Sequence, residues 1–427
     1  MKRRMPTLVT LFAAWSASGA LAADWPGIYG PSRDATSGQK GLLRAWPAEG
    51  PKVLWTAAVS PGFGGASVSE GKVYLLDRDE EVGDTLRVLD FATGKELWTF
   101  AYAAPGAFMF PGSRTTPTVD GELVYTSGPL GDLYAVSTKT RKPVWHKNIW
   151  KDFGGAELPR WAVTQNPLIH GGLLIVAPQT PQTGVVAYDK KTGELKWKSA
   201  ALSGTAGYVS PSILKVGGED HLVMITAAVG RGRNAKDGSV NGLDPATGKV
   251  LWTYTNWQCA IPAPQPVDAG DGRMLITGGY TAGSAMIQVK KEGTGYAVKE
   301  LFKNPDFGSH TQPPILYRDH FYSQYTVNER SDGLVAMTMD GRVKWQTAQQ
   351  PPFVRGGAIL ADGLLLTNDG DTKLYLVEPD PSAFKPLASA VVLEKGDNWA
   401  PLALVDGKLI LRGQKQLKCL QVAAPTR

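Results

Sequence analysis

The sequence predicts an all-β fold: an eight-bladed β-propeller whose ring is closed by an N-terminal strand that completes the last blade. Three observations predict it. A tryptophan recurs at Trp55, Trp98, Trp145, Trp197, Trp252 and Trp345, from the second onward behind a turn rich in Thr, Gly and Lys, with gaps of 43, 47, 52, 55 and 93 residues. The last gap is about twice the others, so one repeat has lost its tryptophan, and "AVKELFKN" at 297–304 puts Phe302 in that slot. Each repeat also reads as four short strands: an apolar run, a D-G or G-G turn, a second run, a third strand, a D-x-x-T-G-K turn and the Trp strand. Four strands every 45 or so residues is the pattern of a propeller blade.

The elements follow in order. Blades are expected near 66–100, 116–147, 166–199, 210–255, 263–304, 313–347, 357–394 and 400–422. The D-G turns, as in "TPTVDGELVYTSG", mark hairpins because Gly supplies the positive φ of a tight turn. In "DPATGKVLWTY" (244–254) the Asp or Thr side chain can bond the turn backbone while Gly again takes positive φ, and the Trp wedges between sheets. The eighth blade has only three strands of its own. "PKVLWTAA" (51–58) is a Trp strand with no blade before it, so it is expected to complete blade eight and remove the exposed sheet edges. The expected organisation is residues 1–22 a signal peptide, 23–50 an N-terminal extension and 51–423 the propeller.

The first residues read as a secretory signal: Lys2, Arg3 and Arg4, an apolar stretch from Leu8 to Leu21, and small residues Ala20 and Ala22 before a cut near Ala22. That stretch is shorter than a bilayer span, and no later segment approaches one, so no transmembrane segment is expected. A periplasmic or secreted monomer follows as the expectation. The formal charge is +6, of which three cations sit in the signal, leaving about +3 dispersed over the mature chain. That is too weak for a nucleic-acid partner. Cys259 and Cys419 fall in blades four and eight, so buried thiols are expected rather than a disulfide. The five histidines show no metal-ligating spacing.

Both turn types lie at one face. The loops from each Trp strand into the next inner strand gather at the other, around the channel mouth, where a ligand would bind. These loops offer Arg114, then Arg160, Trp161 and Asn166, then Tyr208, Trp257, His310, Gln312, Arg355, and finally Asn398 and Trp399. Asp397 is the one carboxylate among the rim residues so read. Guanidinium forks and aromatic faces in such a rim suit a planar or anionic ligand; the same residues also serve as ordinary caps of blade ends. The basic run "RGRNAK" at 231–236 reads as a solvated loop.

The A-x-D-x-x-T-G-K-x-x-W repeat resembles that of the PQQ-type propellers, which include the quinoprotein alcohol dehydrogenases and the outer-membrane assembly factor B. The leader "DWPGIYGPSRDATS" (24–37) is similar to the opening of exported propellers with a W-x-x-x-x-G-P-x-R-D signature. The resemblance implies two functions. One is a non-catalytic exported scaffold that binds a protein, peptide or glycan partner at the channel mouth, with no cofactor. The other is a dehydrogenase of alcohols or sugars using PQQ with Ca²⁺, held at this face by a Trp and a vicinal disulfide, with an Asp as base. No two cysteines are adjacent, no C-x-x-C-H occurs and no Cys directly follows the signal, so neither a haem module nor a lipid anchor is expected. A third reading, a polysaccharide lyase-like propeller, would use His310 with Arg355.

Overall fold

The computed structural model describes residues 24–230, 234–327 and 330–424. The expected signal peptide and Arg231–Arg233 of the basic run lie outside the described residues. Eight antiparallel sheets follow one another around a ring. Blade 1 comprises Ala66–Ser69, Lys72–Asp79, Gly83–Asp90 and Glu96–Ala103 from the inside outward. Blades 2 to 7 begin at Thr118, Leu168, Ser212, Val267, Ile315 and Ala358. Blade 8 takes Ala403–Val405, Lys408–Arg412 and Gln416–Gln421 from the C-terminal end and Val53–Ala58 as its outer strand. Among the described residues no helix is long and apolar enough to cross a membrane.

The D-x-x-T-G turns form as their side chains dictate. Asp90 Oδ1 accepts from Thr93 N (2.8 Å) and Thr93 Oγ1 (2.7 Å), and these bonds hold the Asp90 carboxyl below its ordinary range. The turn glycine has a second role, set by the neighbouring blade. Gly248 takes φ +73, and a Cβ there would meet Trp197 of blade 3 at 2.4 Å. Gly94 and Gly193 stand in the same relation to Trp55 and Trp145, and Gly341 to Phe302, which therefore occupies the wedge where the tryptophan is lost. Four wedge indoles donate to a turn carbonyl of the next blade: Trp55 to Phe91, Trp145 to Lys190, Trp197 to Pro245 and Trp345 to Asp380, at 2.9–3.2 Å.

Apolar clusters bridge the blades, so the core is a chain of inter-sheet wedges rather than one centre. One runs through blades 7, 8 and 1, and another through blades 3, 4 and 5.

Residues 24–37 do not lie outside the ring. Trp25 exchanges two 2.8 Å backbone bonds with Val68 of the innermost strand of blade 1, and Pro26 accepts from Val119 of blade 2. Thr36–Ser37 then pairs in parallel with Leu360–Ala361, the innermost strand of blade 7. Between these points Arg33 donates to the carbonyls of Pro167 (3.2 Å) and Pro211 (3.5 Å), at the starts of the inner strands of blades 3 and 4. The leader thus enters from the hairpin face, rises inside the channel and returns. The turn-back uses left-handed backbone at Tyr29, Gly30 and Arg33. At Gly30 a Cβ would strike the Trp25 ring at 2.9 Å.

Candidate functional site

The plugged channel leaves a blind cup of about 1060 Å³ at the loop face. Its floor is the leader, through Ile28 and Tyr29. Its wall holds Arg114, Arg160, Trp161, Asn166, Tyr208, His310, Gln312, Arg355 and Trp399. Nine of the sequence-predicted rim residues are therefore brought together.

Two are not. Trp257 is 4 % exposed and packs into the core between blades, with its indole N–H on the Ala282 carbonyl at 3.0 Å. It acts as a wedge inside its loop. Asn398 is 1 % exposed, and its amide donates to the carbonyls of Glu394 and Asp371. It shapes the loop before blade 8 and presents nothing to the cup. Asp397 is also absent from the lining.

Several residues of the wall hold one another. Asn166 Oδ1 accepts from Thr116 N (2.7 Å), and its amide donates to Ser210 Oγ (3.1 Å), tying blades 2, 3 and 4. Gln312 donates to the Trp399 carbonyl (2.8 Å), and Thr311 to that of Arg355 (3.0 Å). These bonds run around the mouth and fix the loops that carry the aromatic and cationic groups.

The charge of the wall is one-sided. Among the described residues, three arginines line the cup and no Asp or Glu does. Arg355 lies over the Trp399 ring at 4.6 Å, and its Nε is buried without a hydrogen-bond partner. Arg160 lies over Trp161 at 5.6 Å, and the Trp161 indole N–H is likewise buried and unpartnered. Arg114 donates to the carbonyls of Gly112 and Phe110 and stacks on Phe108 at 4.8 Å. Burial, with Arg78 nearby, lowers Arg114 to about 10, so it stays charged at neutral pH. Burial, then the Arg355 charge, pushes His310 down to about 3. His310 is thus a neutral imidazole at physiological pH, packed edge-on to Tyr280 at 4.4 Å.

Sequence reasoning missed four parts of the cup. Ile28 and Tyr29 come from the leader, whose path no local pattern reveals. Tyr280 comes from the hairpin between the second and third strands of blade 5, a loop at the same face that the Trp-to-inner-strand rule leaves out. Phe63 packs with Phe110 (5.8 Å) and Trp399 (5.2 Å). Its place in "SPGFGGAS", between the Trp55 strand and blade 1, is the signal that could have found it.

The pairing of PQQ with Ca²⁺ does not fit these residues. Ca²⁺ takes six to eight oxygen ligands, carboxylates prominent among them, and the described lining supplies amide and hydroxyl oxygens but no carboxylate. Among the described residues no three His, Cys, Asp or Glu side chains cluster to hold a metal. Cys259 and Cys419 are free and buried, far apart in the ring.

A family model described as outer membrane protein assembly factor BamB matches residues 14–177 and 83–347. The quinohemoprotein alcohol dehydrogenase of Comamonas testosteroni is 28% identical over 128 residues, 28% of this chain and 17% of that protein. The quinoprotein ethanol dehydrogenase of Pseudomonas aeruginosa is 23% identical over 219 residues, 46% of this chain and 34% of that protein. The chain thus spans about a third or less of the curated relatives it matches. Among solved structures, the Comamonas testosteroni enzyme superposes with a TM-score of 0.63 at 14% identity, over 95% of this chain and 81% of that one. BamB from Moraxella catarrhalis superposes with a TM-score of 0.55 at 15% identity, over 87% and 99%. At these identities the structural likeness speaks to fold alone.

Proposed function

The chain belongs to the family described as outer membrane protein assembly factor BamB, and from that premise we propose that it is an exported, non-catalytic binding propeller that captures an acidic segment of a protein, peptide or glycan partner at the channel mouth. The observation that carries this reading is a blind cup lined, among the described residues, by three arginines and no carboxylate. Guanidinium groups without a carboxylate partner among the described residues, held in a partly desolvated wall, favour carboxylates strongly, because the competing water is limited there. The expected signal peptide motivates the exported location. A cup of this size lies at the upper end of ligand pockets, roughly 300–1,000 Å³, so it takes a short segment rather than a whole domain surface.

The reading is tested by calorimetric titration of the purified protein with a hexaglutamate peptide, an oligogalacturonate and a hexalysine control. Acid-selective binding that weakens roughly tenfold in Arg355→Gln is expected. Equal binding of acidic and basic probes, or none at all, removes the reading.

A dehydrogenase is the second reading, favoured by what the two curated relatives are named for and by the aromatic and cationic lining. The absence of carboxylates from the described lining of the cup weighs against it. Incubation with PQQ and Ca²⁺, followed by assay with alcohols, aldoses and an artificial acceptor, decides it: turnover above the protein-free control would replace the first reading with this one.

A further inference from the structure

We infer that the outer wall of blades 2 and 3, at the face of the D-x-x-T-G turns, docks on the surface of an anionic lipid bilayer. This wall lies at the opposite face from the cup, and its use is independent of what the cup binds.

The turn of blade 2 departs from the repeat in two places. It reads "STKTRK" at 137–142, with Ser137 where other turns carry Asp90, Asp189 and Asp244, and Arg141 where they carry Gly94, Gly193 and Gly248. Arg141 keeps the left-handed backbone of that glycine, with φ 60. A side chain is strained there, a cost that glycine avoids. The two exchanges remove a carboxylate and add a guanidinium at one turn tip. From Ser137 to Asn148 the chain carries Lys139, Arg141, Lys142 and Lys147 and no acid. From Asp189 to Lys198 it carries Lys190, Lys191, Lys196 and Lys198 against Asp189 and Glu194. These two units hold six net positive charges, whereas the mature chain as a whole holds about +3, so the rest of the molecule is net negative.

The two units are neighbours in space. The Trp145 indole, three residues beyond Lys142, donates to the Lys190 carbonyl at 3.1 Å. Three extended residues span roughly 10 Å, so the two turn tips stand side by side. Arg141, Lys142 and Lys191 are exposed and have no ion-pair partner among the described residues. The acids nearby are engaged: Glu122 by Lys139, Asp120 by Lys190 and Glu194 by Lys196. With Glu122 and Asp120 counted, the wall keeps four net positive charges. Two aliphatic side chains project among the cations. Val144 is 51% exposed, at the bulge before Trp145, and Leu195 is 44% exposed. Cations around projecting aliphatic tips suit an anionic bilayer, whose phosphates attract the charges while the acyl boundary takes the apolar groups. Turn tips on the rim of a ring form a convex surface, which meets a plane at several points at once. Each cation near such a surface strengthens binding roughly fivefold, and the three unpaired ones together roughly a hundredfold.

The full chain, after signal removal, is sedimented with vesicles of phosphatidylcholine, pure or mixed with phosphatidylglycerol, in about 0.1 M and about 1 M salt. The expected result is retention on the mixed vesicles alone, lost at the higher salt. The triple variant Arg141→Gly, Lys142→Gln, Lys191→Gln should bind the mixed vesicles roughly a hundredfold more weakly. A control triple from blades 4 and 6, Lys249→Gln, Arg342→Gln, Lys344→Gln, should bind like the parent. Arg141→Gly alone should weaken binding roughly fivefold. It should not lower the midpoint of thermal unfolding, because glycine takes the left-handed backbone without strain. That pair of readings separates the surface from the fold. Val144→Ser with Leu195→Ser should weaken vesicle binding with all the cations in place. Equal retention on both vesicle types, retention on neither, or a control triple that falls as far as the first triple overturns the inference. Soluble hexaglutamate is titrated in parallel. Binding of hexaglutamate that depends on the same three cations, with no retention on vesicles, assigns the wall to an acidic protein partner and likewise overturns the inference.

Discussion

Arg355 and His310 are neighbours with opposite requirements. Burial and the adjacent cation keep the imidazole neutral, with His310 down to about 3. Its ordinary value is near 6.5. Between those values the unfolded chain takes up a proton that the folded one refuses, so stability falls as pH drops from 6.5 towards 3. The slope from this one group is about 1.4 kcal/mol per pH unit at most. His310→Gln should flatten it, as read by urea unfolding at pH 7 and pH 5; an unchanged difference between the two would show that His310 is not the group responsible. Binding of acids between pH 5.5 and 8 should owe nothing to His310, which stays neutral throughout. The loops carrying these residues are legible in the sequence, because each precedes an inner strand. Their orientation is not. Asn398 and Trp257 occupy equivalent loops, yet one is consumed by loop carbonyls and the other by inter-blade packing.

At the scale of the element, the repeat explains itself through its neighbours. In each outer strand pair the register slips by one residue just before the wedge position: Leu54 before Trp55, Leu97 before Trp98, Val144 before Trp145, and so around the ring to Leu387 before Ala388. Such a bulge turns the next side chain and sharpens the strand's twist, and here it aims the indole at the next blade. No residue signature announces it. Trp252 shows what happens where the following blade lacks the D-x-x-T-G turn. Blade 5 instead has a long hairpin, Gly283–Glu292 with Gly295–Asn304, and Trp252 donates within its own blade to His221 Nδ1 at 2.8 Å. The turn glycines yield a controlled test. Gly121 and Gly248 both have positive φ, but a Cβ meets nothing within 4 Å at Gly121 and an indole at 2.4 Å at Gly248. Gly121→Ala should cost about 1 kcal/mol from backbone strain. Gly248→Ala should cost about 1–3 kcal/mol more from overpacking. Equal losses in denaturant midpoint would mean that the wedge is not tight.

At the scale of the molecule, the seam between blades 8 and 1 carries the ring. Arg412, buried in blade 8, reaches across it to Asp77 Oδ1 (3.2 Å), Ser113 Oγ (2.8 Å) and the carbonyls of Gly64 and Leu76 in and beside blade 1. Removing one partner of a buried pair leaves charge and carbonyls unsatisfied, so Arg412→Met should cost about 3 kcal/mol. A loss below about 0.5 kcal/mol, measured by equilibrium unfolding, would show that the seam holds without it. The leader is the second device at this scale. Arg33 has no carboxylate partner among the described residues, only two carbonyls from blades 3 and 4. Arg33→Ala should destabilise by about 1–3 kcal/mol and loosen the plug. Proteolysis within residues 24–37 should then outpace cleavage elsewhere, and an unchanged digestion pattern would count against the plug.

The sequence by itself determined the architecture. A Trp wedge and Gly turns repeated at near-constant spacing are local signals with one geometric outcome, so blade number, the missing tryptophan at Phe302 and the face bearing the rim loops were all readable along the chain. Only the tertiary structure decided which rim residues converge, that Tyr29 and Ile28 floor the cup, and that its wall carries, among the described residues, three cations without a counter-charge. Those facts depend on residues hundreds of positions apart being brought around a ring, and on a leader whose inward path is set by Trp25, Arg33 and the parallel pairing of Thr36–Ser37. Contacts of that kind leave no periodicity in a linear sequence.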